Sequence, residues 1–135
     1  MRYFKAKKVV TEHTTLSFNS TNQEDKIVHY DEIDGVEFLG VESADVEGLL
    51  AKQPAEIEAV EITFAEAKPT LDNCRLMKDY NEIIDKKVAE KYSIPKEIGL
   101  LKLIKTDPVR VVYQQYVDSC KAEVRPMKLE KGLVE

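Results

Sequence analysis

His13 and His29 are the residues of this sequence best suited to bind a transition metal or to move a proton near neutral pH. Both fall in a region that reads as strands, where Asp31 and a neighbouring glutamate could add oxygen ligands if the strands paired. Their spacing fits no metal-ligand pattern, so the expectation is no metal and no cofactor, with both rings at strand edges or hairpin ends. Asp31-Glu32-Ile33-Asp34-Gly35 has the look of a calcium loop, but Tyr30 stands at its first ligand position and Val41 where the closing glutamate belongs. Asp34-Gly35 reads instead as the two-residue turn of a β-hairpin.

Other chemistries fare no better. Glu56, Glu58, Glu61 and Glu66 are spaced as a solvated strand face, whereas acid and base catalysis needs two carboxyls fixed in a partly dry cleft. The five glycines are scattered, with no phosphate-cradling loop and no nucleophile elbow, which argues against nucleotide binding and acyl transfer. Cys74 and Cys120 are too few for a disulfide framework and read as reduced, structural thiols. Asn19-Ser20-Thr21 fits the glycosylation pattern, which has meaning only in a secreted protein. No catalytic residue is assigned, and the chain is read as a non-enzyme.

The 135 residues suit one domain, with 43% apolar and 33% charged side chains and a net charge of −5. That charge is unevenly placed. Residues 1–67 hold 6 Lys and Arg against 14 Asp and Glu, a balance of −8, while residues 68–135 hold 14 against 11, a balance of +3. The acidic half argues against a nucleic-acid footprint over the whole molecule, and Lys86, Lys87 and Lys91 are interleaved with Glu82, Asp85 and Glu90. Opposite halves also favour attraction between layers, or head to tail between copies. No apolar run approaches the roughly 18 residues of a membrane span, and no signal-like apolar stretch follows Met1, so the expected location is the cytoplasm, with no membrane partner.

Elements follow from periodicity. Arg2 to Val10, Thr14 to Phe18, Lys26 to Tyr30 and Val36 to Val41 read as strands of an antiparallel meander. Ser43 is a candidate cap for a short helix closed by Pro54, and Ile57 to Ala65 reads as a last strand. Residues 68–78, with Pro69, Asp72 and Asn73, read as a connector. Helical signals then run from Asp79 to Tyr92, from Ser93 through Pro95 to Ile104, and from Asp107-Pro108 to Glu123, where Arg125-Pro126 ends the pattern. The expected fold is α+β: a small, mostly antiparallel sheet with one short helix (1–67), a connector (68–78), a helical hairpin or three-helix unit (79–123) and a polar tail (124–135). Whether this makes one compact domain or two small subdomains is open at this point.

The last helix carries the most conspicuous residues. Val109, Tyr113, Tyr116 and Val117 fall on one helical stripe that must be buried, either in the monomer core or in an interface with another chain.

Tyr80 to Ala122 resembles a helical segment of small accessory proteins encoded with bacteriophage and prophage tail and baseplate genes. The likeness lies in the Lys91-Tyr92-Ser93 step, the acid and apolar run Glu97 to Ile104, and the Tyr113-x-x-Tyr116-Val117 helix ending Cys120-Lys121-Ala122. It implies a non-enzymatic interaction or assembly protein, in the virion or the host cytoplasm, whose partner is another protein or itself, possessing no catalytic residue. The rivals are a small-ligand or metal-dependent enzyme built on His13, His29 and nearby acids, which metal analysis would reveal, and a nucleic-acid-associated regulator, which salt-sensitive retention on a DNA or RNA column would reveal.

Overall fold

Alternation along the first strand sets up a sheet with two covered faces. In β1 (Arg2–Lys7) Tyr3 is buried on one side, Phe4 and Ala6 on the other. After β2 (Val9–Val10) and β3 (Thr15–Leu16), which form a small ribbon of their own, come β4 (Lys26–Ile33), β5 (Val36–Glu42) and β6 (Val60–Ile62). The main sheet has the order β4-β5-β1-β6 and is antiparallel throughout. These coordinates come from a computed structural model that describes all 135 residues, and the architecture is α+β.

The β4–β5 hairpin turns at Asp34 and Gly35, with φ of 52° and 78°, the pair of positive values that a tight turn of this hand requires. A register shift between His29 and Asp31 inserts one extra residue that sets Asp31 opposite Phe38 and Ile33 opposite Val36, and Tyr30, which follows Val28 by two, joins Tyr3 in the cluster on one face. Gly40 makes room for it. A Cβ there would meet the Tyr30 hydroxyl and Met1 Sδ at 2.5 Å each.

One face buries Phe4, Phe18, Leu39 and Val41 under Leu49 of α1 (Val46–Ala51) and Ile57 of a 3-10 turn (Ala55–Ile57). Asp45 caps α1 by accepting from the Gly48 amide at 2.9 Å. Ser43, the expected cap, instead donates to the Asp25 carboxylate and accepts from the Asp45 amide. The opposite face packs Tyr3, Tyr30 and Ile62 against α2 (Phe64–Asn73) and the start of α3 (Arg75–Lys91) through Leu71, Cys74 and Met77.

Several expected boundaries move. The strand expected over Ile57 to Ala65 shrinks to Val60–Ile62, because Thr63 and Glu66 form a reciprocal capping box that starts α2. Residues 68–78 are therefore not a connector. They are almost entirely helical, broken at Cys74, whose extended backbone turns the chain from α2 into α3. Pro69 lies inside α2, and Asn73 Nδ2 donates to its carbonyl at 2.7 Å. Asp79 does not cap a helix; it pairs with Arg75 one turn earlier at 2.9 Å.

The two remaining helices start where the sequence places them. Ser93 caps α4 (Ile94–Leu101) with Pro95 in its first turn, and Asp107 caps α5 (Pro108–Glu130) with Pro108 first. The polar tail, however, is not a tail. α5 runs through Pro126 to Glu130, and Gly132, at φ 70°, folds the chain back so that Leu133 enters the sheet core. Tyr3 donates to the Gly132 carbonyl at 2.6 Å and Tyr30 to that of Lys131. A proline in a helix interior costs about 3 kcal/mol; full burial of Val124 and Leu133 on either side of it offsets that cost.

Candidate interaction surface

The helical half is an antiparallel hairpin of α3 and α5 with α4 across its far end. Ile84, Val88, Tyr113, Cys120 and Val124 form its seam, the small or branched residues letting the two backbones approach. Lys87 reaches Glu123 at 2.7 Å, Lys128 reaches Asn81 at 2.8 Å, and Tyr116 donates to the Lys87 carbonyl at 2.9 Å. The Lys87 ammonium is held above its ordinary pKa by Glu123. These contacts fix the register of the hairpin from outside the seam.

Its far end is aromatic. Tyr92 meets Tyr113 edge to face with ring centres 5.0 Å apart and lies 5.7 Å from Tyr116. Lys91 sits 4.6 Å over the Tyr116 ring, and Lys96 lies 5.4 Å over Tyr92. Leu100 of α4 closes the same cluster from above. Arg110 holds the α4–α5 loop down by donating to the carbonyl of Leu101, one of the groups that the end of α4 leaves unsatisfied, and to that of Leu103 in the loop.

The stripe proposed from sequence is thus divided. Tyr113 is core, Tyr116 and Val117 are half-buried against it, and Val109 is 60% exposed. Val109 lies four residues before Tyr113 on the same helical face, so the water-avoiding stripe continues one turn past the last residue that covers it. Val112 beside it is 53% exposed. α4 adds a second uncovered row: Ile94, Ile98 and Leu101, at offsets of four and three, are 72%, 52% and 52% exposed, and Ile104 in the following loop is 73% exposed. Six branched apolar side chains at this end are thus each more than half exposed, and apolar side chains gathered at the surface of one region mark interaction sites. Only Val109 among these six was legible as a candidate; the α4 row reads in the sequence as ordinary helix core.

No other region gathers chemistry to match. His13 is exposed in a bend, His29 lies in β4 with its Nδ1 4.0 Å from Glu37 Oε2, and no three His, Cys, Asp or Glu side chains converge. Glu37 is buried, and its Oε2 has no hydrogen-bond partner. A polar basin of about 500 Å³ between the β3–β4 loop and α1 is organised by Asp25, which accepts from Ser20 at 2.6 Å and from Ser43. Those two hydroxyls hold its carboxyl below the usual range. Among the basic residues of α3, Arg75 is paired with Asp79 and Lys87 with Glu123, and Lys91 lies on a ring. No helix is long and apolar enough to cross a membrane. Comparisons with protein-family models, curated proteins and solved structures find no match to this chain.

Proposed function

We propose that this is a non-enzymatic interaction or assembly protein that works through the uncovered end of its helical hairpin. The observation carrying this reading is the apolar row Ile94, Ile98, Leu101, Ile104, Val109 and Val112, held on capped helices around a packed aromatic cluster. A monomer gains nothing from presenting branched apolar side chains to water, whereas a docking surface gains the area that it buries. The resemblance of Tyr80 to Ala122 to accessory proteins of phage tails supports assembly of a virion as the setting.

Cross-linking of the chain in its native cell tests the reading, since Lys96, Lys102 and Lys105 lie among the apolar residues. The expected result is cross-links concentrated on these three lysines, to a second copy of the chain or to another protein, and their loss when Ile98 and Ile104 are changed to Asp. A chain whose lysines at this end link to nothing, or a purified chain that turns over a substrate, overturns it.

A further inference from the structure

Building on that reading, we infer that the occupant of the hairpin end is a second copy of this chain, docked head to tail in a groove on its sheet. The groove, of about 450 Å³, lies where α2 and α3 leave the sheet uncovered. β1 and β5 pair Lys5 with Phe38 and Lys7 with Val36, and β6 sets Val60 beside Lys5, so these side chains share the face that buries Tyr3 further along. Ile33 and Val60 there are 46% and 51% exposed. Ile33, Val36, Phe38 and Val60 thus give the groove an apolar strip flanked by Lys5 and Lys7, and this strip and the hairpin end are both exposed in the same molecule.

Charge decides between the ways two copies can meet. From Lys91 to Val112 the hairpin end carries Lys91, Lys96, Lys102, Lys105 and Arg110 against Glu97 and Asp107. Two such ends face to face would set like charges around a shared apolar centre, which is unfavourable. The sheet half has the opposite balance, −8 over residues 1–67. At the groove Lys7 and Lys8 are already paired with Glu58 and Glu32. Asp31 and Asp34, at the hairpin beside it, belong to no ion pair and can receive Lys102 and Lys105, while Lys5 is the one lining cation left unpaired.

A molecule cannot fill its own groove. α3 is one continuous helix from the sheet to the far end, and Tyr92 lies about 18 Å along the axis beyond Tyr80, the last α3 residue packed on the sheet cluster. The contact is then between two different surfaces, so each copy keeps one free end and one free groove. Rings or open filaments follow, the geometry a repeating assembly needs.

Mixing two variants tests this with the full chain. Ile104→Asp with Val109→Asp spoils the hairpin end, and Val60→Lys with Ile33→Lys spoils the groove; circular dichroism checks that both fold. Expected in light scattering across a hundredfold concentration range are wild-type oligomers that grow with concentration, monomers for each variant alone, and dimers of one to one stoichiometry on mixing. Two results overturn the proposal: a wild-type chain that stays monomeric throughout, or variants that remain monomeric when mixed. A dimer that the hairpin-end variant loses and the groove variant keeps shows face-to-face pairing instead, and likewise overturns it. Because the cross-linking above counts any protein at this end, it stands if the occupant is a different chain.

Discussion

The sheet and the hairpin end present the same kinds of side chain with opposite outcomes. In the sheet and the helix that covers it, Phe4, Leu39 and Leu71 are at most 1% exposed; at the hairpin end, Ile94 in the capped helix α4 and Ile104 in the loop after it are more than 70% exposed. Local structure is complete in both places, so what differs is the presence of a second layer. Stability should therefore be concentrated in one region and insensitive to change in the other.

The sharpest break of that comparison is a pair of substitutions. Phe4→Ala removes a side chain fully buried and stacked on Phe18 at 5.9 Å, and should lower the unfolding free energy by about 3–5 kcal/mol. Ile104→Asp should change it by less than about 0.5 kcal/mol, because nothing packs on that residue in the monomer. Urea titration at low protein concentration reads both. Equal losses would mean that the exposed row is covered in the isolated chain.

Tyr113→Ala probes the boundary between the regions. Its ring links α3, α4 and α5 through Tyr92, and its loss should cost about 3 kcal/mol. Because the hairpin seam beyond Tyr80 is separate from the sheet core, hydrogen exchange should accelerate first in α4 and the ends of α3 and α5. Uniform acceleration through β1 and β5 would show one cooperative unit instead.

The C-terminal return should show itself in alkali. Burial, and next the neighbouring Tyr3, push the Tyr30 phenol well above its ordinary range, and burial raises Tyr3 as well. The folded chain thus keeps these protons to higher pH than the unfolded one does. Stability should hold up to about pH 10 and fall above it. Tyr30→Phe, which also gives up the bond to the Lys131 carbonyl, should cost about 1.5 kcal/mol at pH 8 and make the alkaline decline shallower. An unchanged decline would assign the loss to other groups.

What was legible in the sequence follows the same division between local and tertiary causes. The Asp34-Gly35 turn, the Ser93 and Asp107 caps and the α+β class are local, and residue type with spacing was enough to place them. Residues 68–78 were misread because Pro69 and Asn73 look like breakers, while the Thr63 to Glu66 box that starts the helix was hidden inside a run that alternates like a strand. Pro126 misled in the same way: Val124 and Leu133 are buried by the sheet and α3, partners more than 30 residues away in sequence, so no local window could show that the helix survives. The candidate surface was legible at one residue of its six. Val109 stands out by its stripe, but the exposure of Ile94, Ile98 and Leu101 depends on which face of α4 meets Tyr113, a fact of packing.

The smallest effect concerns a flaw inside the covered region. Glu37 points into the layer that holds Phe4 and Leu39, opposite Ala6, with Oε2 unpartnered and His29 Nδ1 too distant, at 4.0 Å, for a hydrogen bond. A carboxylate oxygen withdrawn from water without a donor is a cost, and an apolar side chain of similar length removes it. Glu37→Met should accordingly raise the unfolding free energy at pH 8 by about 1 kcal/mol, with no change at the hairpin end. A loss of stability would mean that the carboxylate finds a partner in solution, a water or a turned His29, and that the sheet is as well satisfied in its polar groups as in its apolar ones.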